Sequence, residues 1–161
     1  MANRVQREAI DASSEVKQLA SGVGDIGAIV TFTGVMRDTN AGAAVTAMTL
    51  EHYPGMTEDA LLEVERQALQ RWPLRASLIV HRVGTFRPGD AIVLVVTAAA
   101  HRQAAFAAAE FLMDYLKTQA PFWKKESGPR GERWVEARAT DAAAAARWGL
   151  PGDDGGKAGG E

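Results

Sequence analysis

The sequence predicts an α+β domain of mostly antiparallel strands with two main helices over the sheet. Three observations lead there. Several segments alternate apolar and polar residues at the period of a strand. Two long segments carry apolar residues at helical spacing instead. Turn-forming Pro-Gly pairs and single prolines punctuate the junctions. At 161 residues the chain is long enough for one core-bearing domain. That domain is assigned to residues 1–148, with residues 149–161 as a Gly-rich tail expected to be disordered.

Val5 to Ile10 reads as a short strand, and Ser13 or Ser14 as the cap of a small helix ending near Leu19. Asp25 to Gly34 reads as a strand with Ile26, Ala28, Val30, Phe32 and Gly34 on one face. Val45 to Tyr53 alternates in the same way. The two are expected to pair as a hairpin across a long, mobile connection that includes the polar loop Asp38 to Gly42. After the turn at Pro54-Gly55, a helix should run from Thr57 or Glu58 to Trp72, burying Ala60, Leu61, Val64, Ala68 and Leu69, and stop at Pro73. Ala76 to Val83 and Ala91 to Thr97 are strands of a second hairpin, turned by Pro88-Gly89. The longest helix spans Ala100 to Gln119 with Ala105, Ala108, Leu112, Tyr115 and Leu116 inward, and Pro121 ends it. Arg133 to Ala139 reads as a last strand, and Thr140 caps a short helix to Trp148.

Composition excludes several chemistries. No cysteine is present, which removes disulfides, a thiolate nucleophile and thiolate metal ligands. The three histidines, His52, His81 and His101, lack metal-ligand spacing, so neither a metal nor a cofactor is expected. A net charge of −2 gives no reason to invoke nucleic acid or a membrane surface, and any anion site must be a local cluster of cations. The segment Met1 to Gln18 does not read as a signal peptide, and the longest apolar run, Ala91 to Ala100, is far too short to span a bilayer. The expected location is cytoplasmic.

Four groups of cations sit at element ends. Arg37 follows Gly34, which allows a close backbone approach to a ligand; the guanidinium can clamp a phosphate or carboxylate, or be a solvated charge at a strand end. His101 and Arg102 stand at the start of the long helix, either as a capping turn with exposed side chains or as an anion site, since free N–H groups and the positive dipole end favour an anion there. Lys117 lies in that helix's last turn, where a lysine also suits the dipole with no further role. Lys124 and Lys125 follow Phe122-Trp123 and can simply be a surface charge run. Pro121 lets the chain fold back and bring Lys117 and Lys124 to one site, where a lysine tuned by a neighbouring cation or by burial can act as general acid, base or nucleophile. His101 and Lys117 are sixteen positions apart on one helix, roughly 24 Å, and on nearly opposite faces. They either serve separate purposes or meet in a pocket shared across a two-fold homodimer.

At these residues the sequence resembles the large, catalytic subunit of the molybdopterin synthase family. The likeness rests on Thr49-Leu50-Glu51-His52-Tyr53-Pro54-Gly55-Met56, on Ala100-His101-Arg102, on Met113-Asp114-Tyr115-Leu116-Lys117-Thr118 and its continuation through Ala120-Pro121-Phe122-Trp123-Lys124, and on Arg133-Trp134-Val135-Glu136-Ala137-Arg138. It covers roughly residues 25 to 148. The resemblance implies an α/β-hammerhead-like domain with a small β subdomain. It also implies a homodimer with shared active sites, each large subunit binding one small ubiquitin-like sulfur-carrier subunit. The carrier's C-terminal Gly-Gly thiocarboxylate would give its sulfur to cyclic pyranopterin monophosphate, two carriers in turn building the dithiolene of molybdopterin. By position, Lys117 and Lys124 match the family's essential lysines. Arg37, His101 and Arg102 match anion-binding positions, with Arg138 a further candidate. Lys125 and Glu126 flank the second lysine, and Lys125 stands where the family often has Arg. The chief alternative is a non-catalytic module binding a phosphorylated ligand or an acidic tail with the same cations; a second is a purely structural dimer whose cations are surface charges.

Overall fold

The computed structural model describes residues 2–135 and 139–149. Two sheets organise them. The larger has the strand order β1 (Ala2–Gln6), β6 (Leu74–Arg82), β8 (Ala91–Ala99), β2 (Ala28–Val35). It is antiparallel except that β1 runs parallel to β6. Strand alternation makes it two-sided. Ile79, Val93, Val95 and Ala99 point to α2 (Met56–Arg71) and α3 (Arg102–Thr118), meeting Leu61, Val64, Phe111 and Leu112 in the main core. Leu78, Val80, Leu94 and Val96 face the other way and are covered by α1 (Ala12–Ala20) through Val16 and Leu19. With both faces covered, β6 and β8 read as nearly unbroken apolar runs.

The smaller sheet has the order β10 (Gly131–Trp134), β9 (Phe122–Gly128), β5 (Ala47–His52), β7 (Gly84–Phe86), all antiparallel. It has its own small core of Met36, Val45, Met48, Leu50 and Phe86. Two residues of β3 (Thr39–Asn40) pair with two of β4 (Ala43–Ala44) to form a narrow ribbon between β2 and β5. Ala41 and Gly42 turn it with φ of 50° and 77°, a conformation suited to glycine. A last helix, α4 (Ala139–Ala146), places Ala145 in the main core.

The α+β class, the two main helices and the β6/β8 hairpin match the expectation, and the inward stripe of α3 is buried throughout. Other expectations need correction. The predicted β2–β5 hairpin does not exist: β2 pairs with β8 and β5 with β9 and β7, because the connection carries the chain from one sheet to the other. The first strand lies earlier than Val5 to Ile10. Val5 joins the main core while Ile10 packs under the opposite face, so one straight strand cannot hold both. Asp11, not a serine, caps α1, its carboxylate accepting from Ser14 N at 3.2 Å. Leu69 is exposed on α2, and Glu65 takes an inward position. The strand expected from Arg133 to Ala139 ends at Trp134. Residues 136–138, and with them Arg138, lie outside the described residues, as does the tail beyond Gly149.

Candidate active site

A cleft of about 370 Å³ opens between β2, the ribbon, β9 and the end of α3, within the size range of small-molecule sites. Arg37, Lys117, Lys124 and Glu126 supply its charged groups, and Phe32 and Met48 are among its apolar ones. Arg37 leaves the end of β2, just past Gly34. A Cβ at Gly34 would press on Val93 Cγ1 at 2.7 Å, so the glycine there lets β2 lie close against β8.

Lys117 and Lys124 reach the cleft from different elements because of how α3 ends. Gln119 N still bonds Tyr115 O at 2.7 Å, and the Thr118 hydroxyl bonds back to Asp114 O at 2.8 Å. Pro121 cannot continue the helix. Its carbonyl accepts the hydroxyl of fully buried Thr57 at 2.8 Å, which ties the turn to the start of α2. Phe122 then stacks on His81, ring centroids 3.9 Å apart and 22° from parallel. The chain enters β9 in register with β5, Leu50 opposite Lys124 and Met48 opposite Glu126.

Strand alternation decides which β9 side chains face the cleft. Phe122, Lys124 and Glu126 share one face. Lys125 projects from the other, pairs with Glu132 at 2.8 Å and lies 5.9 Å from the centre of the Trp134 ring. Lys125 therefore does not line the cleft. His101 caps α3 and Arg102 begins it, both exposed, at the end of the helix opposite Lys117; neither lines the cleft.

Two groups near the lysines have shifted proton affinities. Burial pushes His81 down to about 4, helped by the charges of Lys117 and His52 and opposed by its bond to the Arg82 carbonyl (Nδ1 to O 2.9 Å), so the ring is neutral at pH 7. Burial pulls the Glu126 carboxyl upward, but Asn40, Lys124 and Arg133 outweigh it and hold it below the usual carboxylate value. Glu126 is thus an ionised anchor among cations. Asn40, Thr57, His81 and Arg133 were not singled out from the sequence as site residues. The strand period through Phe122, Lys124 and Glu126 was the signal available for the β9 face; nothing local marks the other contacts. Among the described residues no group of three or more His, Asp or Glu could hold a metal ion, and no helix is long and apolar enough to cross a membrane.

Comparison with known proteins decides the family. The model of the family described as MoaE protein matches residues 5–119. This chain belongs to the MoaE family. A molybdopterin synthase catalytic subunit from Pseudomonas aeruginosa is 57% identical over 149 residues, 92% of this chain and 99% of that protein. The solved molybdopterin biosynthesis MoaE protein from Burkholderia ambifaria superposes with a TM-score of 0.80 at 54% identity, covering 92% of this chain and 98% of that one. The fold alone is shared with a structure from Helicobacter pylori, described as a protein–protein complex of subunits 1 and 2 of molybdopterin-converting factor. Its TM-score is 0.70 at 18% identity, over 84% of this chain and 91% of that one. The MoaE cleft thus combines three cations, from β2, α3 and β9, with one compensated carboxylate.

Proposed function

We propose that this chain is the catalytic subunit of a molybdopterin synthase, moving sulfur from the C-terminal thiocarboxylate of a small ubiquitin-like carrier to cyclic pyranopterin monophosphate. The observation that carries the reading is the convergence of Arg37, Lys117 and Lys124 on one small cleft from three separate elements. Such a cleft suits a ligand bearing a phosphate and an incoming terminal carboxyl derivative. A chain without cysteine has no thiol of its own to offer, so the sulfur must come from outside. Lys117 is the main catalytic group, Lys124 assists it or holds the carrier's terminal carboxyl, and Arg37 binds the phosphate.

The site is completed by a second copy. His101 and Arg102 are too far from Lys117 along α3 to share a small ligand within one chain, roughly 24 Å by helical rise. Among the described residues β2 is an edge strand of its sheet and carries exposed Ile29, Phe32 and Val35, the last two lining the cleft, and Phe106, just over one turn into α3 from His101, is 62% exposed. An apolar edge of this kind favours pairing with another chain. In a two-fold dimer each cleft would receive His101 and Arg102 of the partner subunit as further anion ligands, with Arg138 a remaining candidate.

The test is reconstitution with thiocarboxylated carrier and pterin precursor, measuring dithiolene product. Lys117→Ala should abolish turnover while carrier binding survives. If turnover persists in Lys117→Ala, that lysine is not the main catalytic group; if the wild-type chain binds both ligands without forming product, a non-catalytic binding module is the better reading. Mixing His101→Ala with Lys117→Ala chains should restore activity in one of the two sites of a mixed dimer; no recovery refutes the shared site.

A further inference from the structure

We propose that Asn40 is a positioning residue of this site: its side-chain amide latches the β3–β4 ribbon onto Glu126 and thereby sets the placement of Lys124. The inference rests on the proposed reading of the cleft and assigns a residue that the cation pattern does not point to.

A carboxylate in a cleft built for anions needs an explanation. Glu126 is 5% exposed, and both its oxygens are engaged. Asn40 Nδ2 lies 3.0 Å from each of them, Lys124 Nζ is 3.3 Å from Oε1, and Arg133 Nη2 is 3.4 Å from Oε2. Only the NH₂ side of the amide can face a carboxylate, so the direction of this bond is fixed by chemistry. Glu126 is thus surrounded by donors from three elements, and its ionised form holds the Lys124 ammonium against the cleft wall instead of leaving it free to swing on its four-carbon stem.

The ribbon needs such an anchor. Two residue pairs and a tight turn are too little to hold a hairpin in place without tertiary contacts. At its base Val45 N bonds Asp38 O and Thr46 N bonds Ser127 O, each at 2.8 Å. The Ala44 carbonyl lies so close over Gly128 that a Cβ there would collide with it. The first of these bonds closes the base of the ribbon, and the other two contacts fasten its β4 side to β9. On the β3 side, which leads back to Arg37, the bonds from Asn40 to Glu126 tie the ribbon to β9 as well. One amide therefore couples the strand end carrying Arg37 to the carboxylate that orients Lys124.

Hydrogen–deuterium exchange over residues 38–46 tests the latch without relying on activity, and steady-state sulfur transfer tests its consequence. Asn40→Asp sets a second carboxylate against Glu126 and should speed exchange across the ribbon. Asn40→Asp combined with Glu126→Gln reverses donor and acceptor across the same contact and should restore slow exchange. Asn40→Ala should lower kcat/KM for the thiocarboxylated carrier roughly tenfold, the loss of one bond to a charged group, with a smaller change in the KM for cyclic pyranopterin monophosphate. Unchanged exchange in Asn40→Asp, or no recovery in the double variant, overturns the latch. Faster exchange with kcat/KM for the carrier unmoved overturns the positioning role. A wild-type chain with no sulfur transfer at all would defeat the functional reading instead, while the exchange results would still decide the latch.

Discussion

Replacing Glu65 with Gln should stabilise the protein in neutral and alkaline solution and leave it nearly unchanged in acid. Glu65 sits on α2 with no exposed surface. Its Oε2 receives one long bond from Asn3 Nδ2 at 3.5 Å, and its Oε1 has no partner. Burial raises the carboxyl to about 7 from an ordinary 4.5, with Asn3 opposing only in part. The folded state therefore binds this proton more tightly than the unfolded chain does. Its contribution to stability is complete below pH 4.5 and is lost as pH rises to about 7. At about 1.4 kcal/mol for each tenfold in affinity, the loss is about 3 kcal/mol. Gln keeps the shape and cannot ionise. Urea unfolding at pH 4.5 and pH 8 should show Glu65→Gln matching wild type at the lower pH and exceeding it by about 3 kcal/mol at the higher, a rise in Tm of roughly 6 to 12 °C. An equal difference at the two pH values would refute the reasoning, because the effect would then come from packing and not from a proton.

His81 should act in the opposite direction. Its folded value is depressed from 6.5 to about 4, so its contribution is present above pH 6.5 and lost as pH falls through 4. His81→Phe, which keeps a ring against Phe122, should reduce the acid sensitivity of unfolding by about 3 kcal/mol between those limits; an unaltered acid limb would contradict the assignment. Thr57→Val should cost about 2 kcal/mol by stranding the Pro121 carbonyl and the Tyr53 N–H, which now share the Thr57 hydroxyl. It should also lower sulfur-transfer turnover by loosening the turn between Lys117 and Lys124. Thr57→Ser should retain both properties, and matching losses in the two variants would point to packing instead.

The helices were legible because their signals are local. The inward stripe of α3 is read from its spacing, and Pro73 and Pro121 mark where α2 and α3 give out. The antiparallel pairing of β6 with β8 was legible for the same reason, two apolar runs around a Pro-Gly turn signal, but β7, which lies in that connection and joins β5 in the smaller sheet, was not. Strand β9 was not, since Phe122-Trp123-Lys124-Lys125-Glu126 buries few apolar groups and reads as an aromatic pair followed by charges. Its strand character comes from pairing with β5, seventy-odd positions earlier in the chain.

What the sequence by itself determined was the class of fold, the absence of thiol chemistry, and a set of cations near element ends with strings resembling one family. Only the tertiary structure decided which cations meet. It turned Lys124 into the cleft and Lys125 away from it, brought Arg37 and Lys117 to the same cleft, left His101 at the far end of α3, and set Asn40 on Glu126. The reason is physical. Helical and strand periods are properties of neighbouring residues, whereas the register between β5 and β9, and hence the face each side chain takes, is fixed by contacts between segments distant along the chain.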